Sequence, residues 1–275
     1  MKISYPNNEN QSIYKECKES INNLLSSNNF ISIKLFDRTV KMIFNQIENS
    51  HIKNNKINDK KIRDDCLNQW EDSREYKKFK EEIKPIYEIA ERYNENKTII
   101  FNDIYLKNFL SEFEIKIIPL MSLNKNKKML CFQMTPLKNR SSRSRITHVK
   151  LTGDSQQYDG IFRFEDETEQ KIEVTRSNFG KEQGILKEKM RKEGYKIEFN
   201  SSSQSVEKAI KAIRKKQNKN KYQDCWLIVN LHNEKFDQEE DIESFLLHYK
   251  NYVEKHKEGI DWSKFTSIIF YPAMN

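Results

Sequence analysis

The chain has 275 residues, 36% hydrophobic and 33% charged, with a formal charge of +8 and a pI near 9.0. Only 6 glycines and 5 prolines exclude a collagen-like or low-complexity chain, and no apolar run is long enough to span a bilayer. The basic balance favours phosphate-bearing partners, while 41 acidic residues exclude a histone-like tail.

The opening "MKISYPNNENQS" lacks the apolar core of a signal peptide. Cys17, Cys66, Cys131 and Cys225 are too scattered for a zinc knuckle. Together these features give the expectation of a cytoplasmic protein in a reducing compartment, with no membrane partner. Residues 12–27 have amphipathic spacing and predict a short helix. "FISIKLFDRTVKMIFNQIENS" begins with strand-like alternation and turns helical, and the polar "HIKNNKINDKK" predicts a loop or an exposed helix start. Over residues 64–93, Trp70, Phe79, Ile83, Ile86, Tyr87 and Ala90 form an apolar helical face, with Pro85 as a kink. Residues 1–97 therefore read as a mostly helical region with a recognition or dimerisation role.

The character changes over residues 98–275. "EIKIIPL" and "KKMLCFQMT" predict strands after a short helix, and "PLKNRSSRSRITHVKLTGD" predicts a basic loop exposing Arg140, Arg143 and Arg145. "GIFRFED" and "QKIEVTRS" alternate apolar with polar residues on either side of "EDETE", the pattern of a hairpin. A helix over residues 181–193 follows, stopped by Gly194, and then the strand "YKIEF". "SSSQSVEKAIKAIRKKQ" has capping serines and a stripe of Val206, Ala209, Ile210 and Ile213. "CWLIVNL" reads as a buried central strand, "QEEDIESFLLHYKNYVEKH" as a helix and "FTSIIFYP" as a last strand. This alternation predicts an α/β fold with a mixed sheet flanked by helices.

The chemistry concentrates in "YDGIFRFEDETEQKIEVTRS". Strand alternation puts Glu173 and Thr175 on one face of "KIEVT" and Ile172 and Val174 on the other, so the carboxylate faces a cleft while the aliphatic groups pack. Asp159 opens the preceding strand. Two carboxylates and a backbone carbonyl, such as that of Val174, suit Mg²⁺, which prefers hard oxygen ligands and retains waters. Between residues 181 and 221 there are 13 Lys or Arg against 5 Glu, a distribution suited to a phosphate backbone. Arg176, Lys187, Lys189 and Lys215 are candidate contacts, together with the three loop arginines. His148 is a candidate for proton transfer or metal binding, although a solitary histidine is more often structural or solvent-facing, and His232 and His248 sit in ordinary contexts.

"YDG…IEVT" resembles the core motif of the PD-(D/E)XK nuclease superfamily, whose fold is restriction-endonuclease-like. Tyr158 and Asp159 correspond to the proline–aspartate step, Gly160 to a position often filled by glycine, and Glu173, Val174 and Thr175 to the acid–X–lysine triplet. Thr175 stands where the family has its lysine, and similar nucleases with threonine there take the lysine from a helix. The helical spacing of Ala209, Ile213 and Lys216 makes Lys216 the first candidate, with Lys187 and Lys189 as alternatives. The family also draws an acid from an early helix, for which Glu112 is the first candidate by order and Glu91 the second. The resemblance implies a metal-dependent endonuclease with Mg²⁺, or Mn²⁺ in its place, acting on DNA ahead of RNA. Restriction or defence would accommodate such an activity, and a homodimer would serve simultaneous cuts in both strands. The competing expectation is a non-catalytic nucleic-acid-binding or assembly module that keeps the fold and, with Thr175, has lost the chemistry.

Overall fold

The computed structural model describes residues 8–26, 29–54, 70–71, 73–121, 128–139, 145–152, 157–177, 202–219, 222–231, 235–257 and 259–272. They form an α/β molecule with nine strands, parallel and antiparallel mixed. The chain divides into two compact units, residues 1–91 with 146–169 and residues 92–145 with 170–275. Residues 146–169 belong to the same unit as the N-terminal helices.

In the first unit, α1 (Asn8–Ser26) and α2 (Ile33–Asn54) are amphipathic helices separated by the two-residue strand β1 (Ile31–Ser32). The expected alternation in "FISIKL" thus stops early, where Ser32 Oγ accepts a hydrogen bond from the Leu35 amide at 3.4 Å, in the manner of a helix cap. After α3 (Arg74–Lys78), capped by Ser73, the helix widens into a π turn at Phe79–Ile83 before α4 (Lys84–Arg92). Pro85 follows directly. Its ring and missing N–H disturb the preceding carbonyls, and the chain answers with a wider turn rather than a break. The buried side chains of Ile21, Leu24, Phe36, Val40, Ile43, Ile83 and Ile86 supply this unit's core.

The segment predicted as a basic loop contains β5 (Ile146–Leu151), which pairs antiparallel with β1 and with β6 (Gly160–Phe164). A register shift between Ile146 and His148 breaks the period-two pattern and hides the strand from an alternation count. Pairing with β1 also explains why the segment belongs to the N-terminal unit. At the start of β6, an added Cβ on Gly160 would lie 3.1 Å from the Lys150 carbonyl oxygen and 3.4 Å from Ile86 Cδ1. Glycine is favoured there by close backbone approach.

The second unit orders its strands β7 (Glu169–Arg176), β8 (Cys225–Leu231), β9 (Phe265–Pro272), β4 (Lys128–Pro136), β3 (Phe113–Met121) and β2 (Lys97–Thr98). β7, β8 and β9 are parallel, and β4, β3 and β2 continue the order antiparallel. Helix α5 (Ile104–Phe109) precedes β3, helix α6 (Ser202–Gln217) precedes β8, and helix α7 (Glu239–His256) crosses from β8 to β9. All seven residues of β8 are buried, as expected of "CWLIVNL". Leu227, Val229 and Leu231 of β8 join Ile268 and Phe270 of β9 in one core with Val206, Ala209, Ile210 and Ile213 of α6 and Ile242, Phe245 and Leu246 of α7. The predicted helix over 181–193, Gly194 and the strand "YKIEF" lie outside the described residues.

Candidate functional site

The site in the second unit begins with the register of β7 on β8. Glu173 pairs with Leu227 and Thr175 with Val229, and both partners belong to the core beneath α6 and α7. Neighbours across a ladder share a face, so Glu173 and Thr175 point toward that helical layer and Ile172 and Val174 away from it. Glu173 is only 5% exposed, so the expected cleft-facing carboxylate is in fact nearly enclosed.

Lys216 comes from the last turn of α6. Its Nζ donates to Glu173 Oε1 and lies 3.4 Å from the Tyr222 hydroxyl and 4.5 Å from the centroid of that ring. The helical stripe Val206, Ala209, Ile210, Ile213 faces the core, and a further step of three carries Lys216 to the edge of the same face. Burial opposes the ammonium charge. The hydrogen bond and charge of Glu173, aided by Tyr222, outweigh it and raise the lysine pKa above its ordinary value. Lys216 is therefore a cation at neutral pH, with Glu173 as its counter-ion.

A cavity of about 390 Å³ opens beside this pair. Its floor is the C-terminal end of β7, Thr175 to Ser177, and one wall is α6, with Lys208, Lys211, Lys215 and Lys216 along it and Lys219 just past its end. Cavities outside the carboxyl ends of parallel strands are common ligand positions in open α/β sheets. Ser177 is fixed by donation of both its amide and its hydroxyl to the Asn230 carbonyl, at 3.0 and 3.3 Å. Thr175 and Lys216 line the same space. A strand rise of about 3.3 Å per residue places position 175 about 7 Å along the face of Glu173. The Lys216 ammonium itself stands at the Glu173 carboxylate.

Of the other candidates, Arg176 and Lys215 line this cavity and are exposed. Val174 sits in mid-strand, in register with Ile228. Glu112 is exposed in the turn before β3, and β3 stands four strands from β7, about 19 Å at ordinary strand spacing. Glu112 is thus not brought to Glu173. Arg145 is exposed just before β5 and does not line the cavity. Arg140, Arg143, Lys187 and Lys189 lie outside the described residues.

Asp159 belongs to the first unit and Glu173 to the second. Asp159 is half-buried, and its carbonyl accepts from the Thr152 amide at 3.0 Å, while the Thr152 hydroxyl donates to the Tyr158 carbonyl. Glu91, the second choice for an early acid, is paired with Lys41 in the first unit.

Among the described residues no group of three His, Cys, Asp or Glu is placed to hold a metal ion. Mg²⁺ commonly needs only one or two carboxylates, with waters and substrate phosphates completing its shell. In the second unit Glu173 is the one carboxylate named for such an ion, and Lys216 already donates to it.

Lys208, Lys211, Lys219 and Tyr222 were not singled out by the sequence pattern. The lysines at 208, 211, 215 and 219 recur at helical intervals, a signal that a count of charge along one helix face would have found. No protein-family model matches the chain, and neither curated proteins nor solved structures give a match. No helix among the described residues is long and apolar enough to cross a membrane.

Proposed function

We propose that the chain is a metal-dependent endonuclease of restriction-endonuclease-like type, hydrolysing phosphodiester bonds in DNA ahead of RNA. The observation that carries this reading is Lys216, delivered by α6 to the carboxylate of Glu173 and into the cavity floored by Thr175. It supplies, from a helix, the charge that the strand motif lacks. A bound Mg²⁺ or Mn²⁺ would neutralise phosphate charge and lower the pKa of an attacking water. Glu173 would hold the ion, and Asp159 is the second acid that the sequence motif names. Lys216, protonated at neutral pH, would bind a non-bridging phosphate oxygen and stabilise the charge that develops in the transition state. It is poorly suited to accept a proton while Glu173 is its counter-ion.

The lysine-rich wall of α6 would hold the substrate backbone by salt-dependent contacts. Cys17, Cys131 and Cys225 are buried, and the setting proposed for such an enzyme is cytoplasmic. A homodimer would be required for coordinated double-strand cuts.

The test is cleavage of supercoiled plasmid, linear duplex, single-stranded DNA and RNA with Mg²⁺ or Mn²⁺. Wild type is compared with Asp159→Asn and Glu173→Gln. Cutting that requires metal and falls at least about 100-fold in both variants supports the reading. The pairing of Glu173 with Lys216 also favours a second reading, a binding module whose acid serves the fold. That reading predicts nucleic-acid binding with no cutting on any substrate.

A further inference from the structure

We infer that Lys216 is a gate on Glu173: its ammonium bars a divalent cation from the carboxylate, and Tyr222 holds the ammonium when the gate opens. The gate rests on the nuclease reading for the cation it admits, and adds how that same site is regulated.

The gate follows from what lies against the cavity. Lys216 belongs to the lining and Glu173 does not. The Glu173 side chain is 6% exposed and that of Lys216 19%, and the ammonium donates to Glu173 Oε1. A cation arriving from the cavity therefore meets Lys216 before it meets the carboxylate. Mg²⁺ takes a carboxylate oxygen at about 2.0–2.1 Å, closer than a hydrogen-bonded ammonium approaches. Placed on the same acid, the two cations repel each other strongly where water is scarce. Metal and lysine thus compete for Glu173.

The surroundings of Lys216 supply the open position. Its Nζ lies 3.4 Å from the Tyr222 hydroxyl and 4.5 Å from the ring centroid, within the range of a cation–π contact. Neither contact uses the carboxylate, so both persist when Glu173 is taken by another cation. Tyr222 is itself fixed. It is 5% exposed, its amide donates to the Lys219 carbonyl at 3.1 Å, and the Lys219 amide donates to the Lys216 carbonyl at 2.9 Å. The ring stays in place while the flexible stem of the lysine moves. Released from Glu173, the ammonium is free to meet a phosphate in the cavity that Lys216 lines.

Mn²⁺ binding is measured by calorimetry on the full chain without nucleic acid. The proteins are wild type, Lys216→Arg, Lys216→Met and Lys216→Met/Glu173→Gln. The affinity should rise at least about tenfold in Lys216→Met, rise not at all in Lys216→Arg, and vanish when Glu173→Gln is added. If Lys216→Met does not fold, the wild-type protein decides through the ¹⁵N ammonium signal of Lys216, identified by its loss in Lys216→Arg. That signal should move over the Mg²⁺ concentrations at which Mg²⁺ binds, and its protons should keep a ring-current shift that Tyr222→Leu removes. Equal or weaker Mn²⁺ binding by Lys216→Met, Mg²⁺ bound with the ammonium signal unmoved, or no metal bound by any of the proteins would overturn the gate. Plasmid cleavage is scored separately. Tighter Mn²⁺ binding by Lys216→Met with no cutting by wild type removes the nuclease reading alone. Metal-dependent cutting by wild type with equal binding by Lys216→Met removes the gate alone.

Discussion

Lys216 and Glu173 each neutralise the other in a place where water cannot. The Glu173 side chain is 6% exposed and that of Lys216 19%, so removing either leaves a charge that is poorly solvated. Lys216→Met should cost about 3 kcal/mol in urea unfolding. Adding Glu173→Gln should recover part of that loss, because the orphaned carboxylate disappears with it. Additive costs in the double variant would show that the pair is not coupled. The pH dependence stems from the raised lysine pKa. Its stabilisation is fully present below the ordinary lysine value of 10.5 and is lost as pH rises through the higher folded value. The coupling measured by the double-mutant cycle should therefore be flat from about pH 7 to 9 and decline only in more alkaline solution. Asp37 in the first unit behaves in the opposite sense. Burial pushes its carboxyl up, but hydrogen bonds from Lys41 and Tyr87 outweigh this and hold it below the usual range. Tyr87→Phe should cost about 1.5 kcal/mol at neutral pH. That cost should shrink as acid protonates Asp37, since a lowered carboxylate stabilises only above its folded pKa.

Among the elements, β8 and α6 were the most legible and β5 the least. A run with six apolar residues in seven is satisfied only by burial on both faces, and β8 is so buried. The α6 stripe follows a strict 3.6-residue period, and extending it by one step located Lys216. The β5 strand was hidden because a register shift destroys the alternation on which strand recognition depends. Its assignment to the first unit depends on pairing with β1, more than a hundred residues earlier, and no local pattern encodes that. Helix ends offer a direct check on local energetics. Lys257 terminates α7 with φ 51°, a left-handed conformation in which a Cβ is strained. Lys257→Gly should raise stability by about 0.5–1 kcal/mol, read as an increase in thermal midpoint. In the layer beneath α6 and α7, Leu227→Ala should cost about 3 kcal/mol, since Leu227 is fully buried opposite Glu173.

At the scale of the whole molecule, two units are built from interleaved stretches of chain, and the cavity beside Glu173 and Lys216 lies in the second. The order of α6, β8, α7 and β9, the facing of Glu173 with Thr175, and the helix-borne lysine could be read from the chain, because each rests on a short-range period. Glu112 was chosen by order alone, and order says nothing of the three strands between β3 and β7. The cavity became visible only when the end of β7 and the lysine face of α6 met in space. The central claim is that Lys216 does the work of the missing motif lysine. It is tested most directly by metal-dependent cleavage of plasmid DNA by wild type, Lys216→Met, and Lys216→Met combined with Thr175→Lys. The account predicts cutting by wild type, a loss of at least about 100-fold in Lys216→Met, and partial recovery when the lysine returns on β7. Cutting by Lys216→Met at the wild-type rate, or no cutting by wild type with either metal, would contradict it.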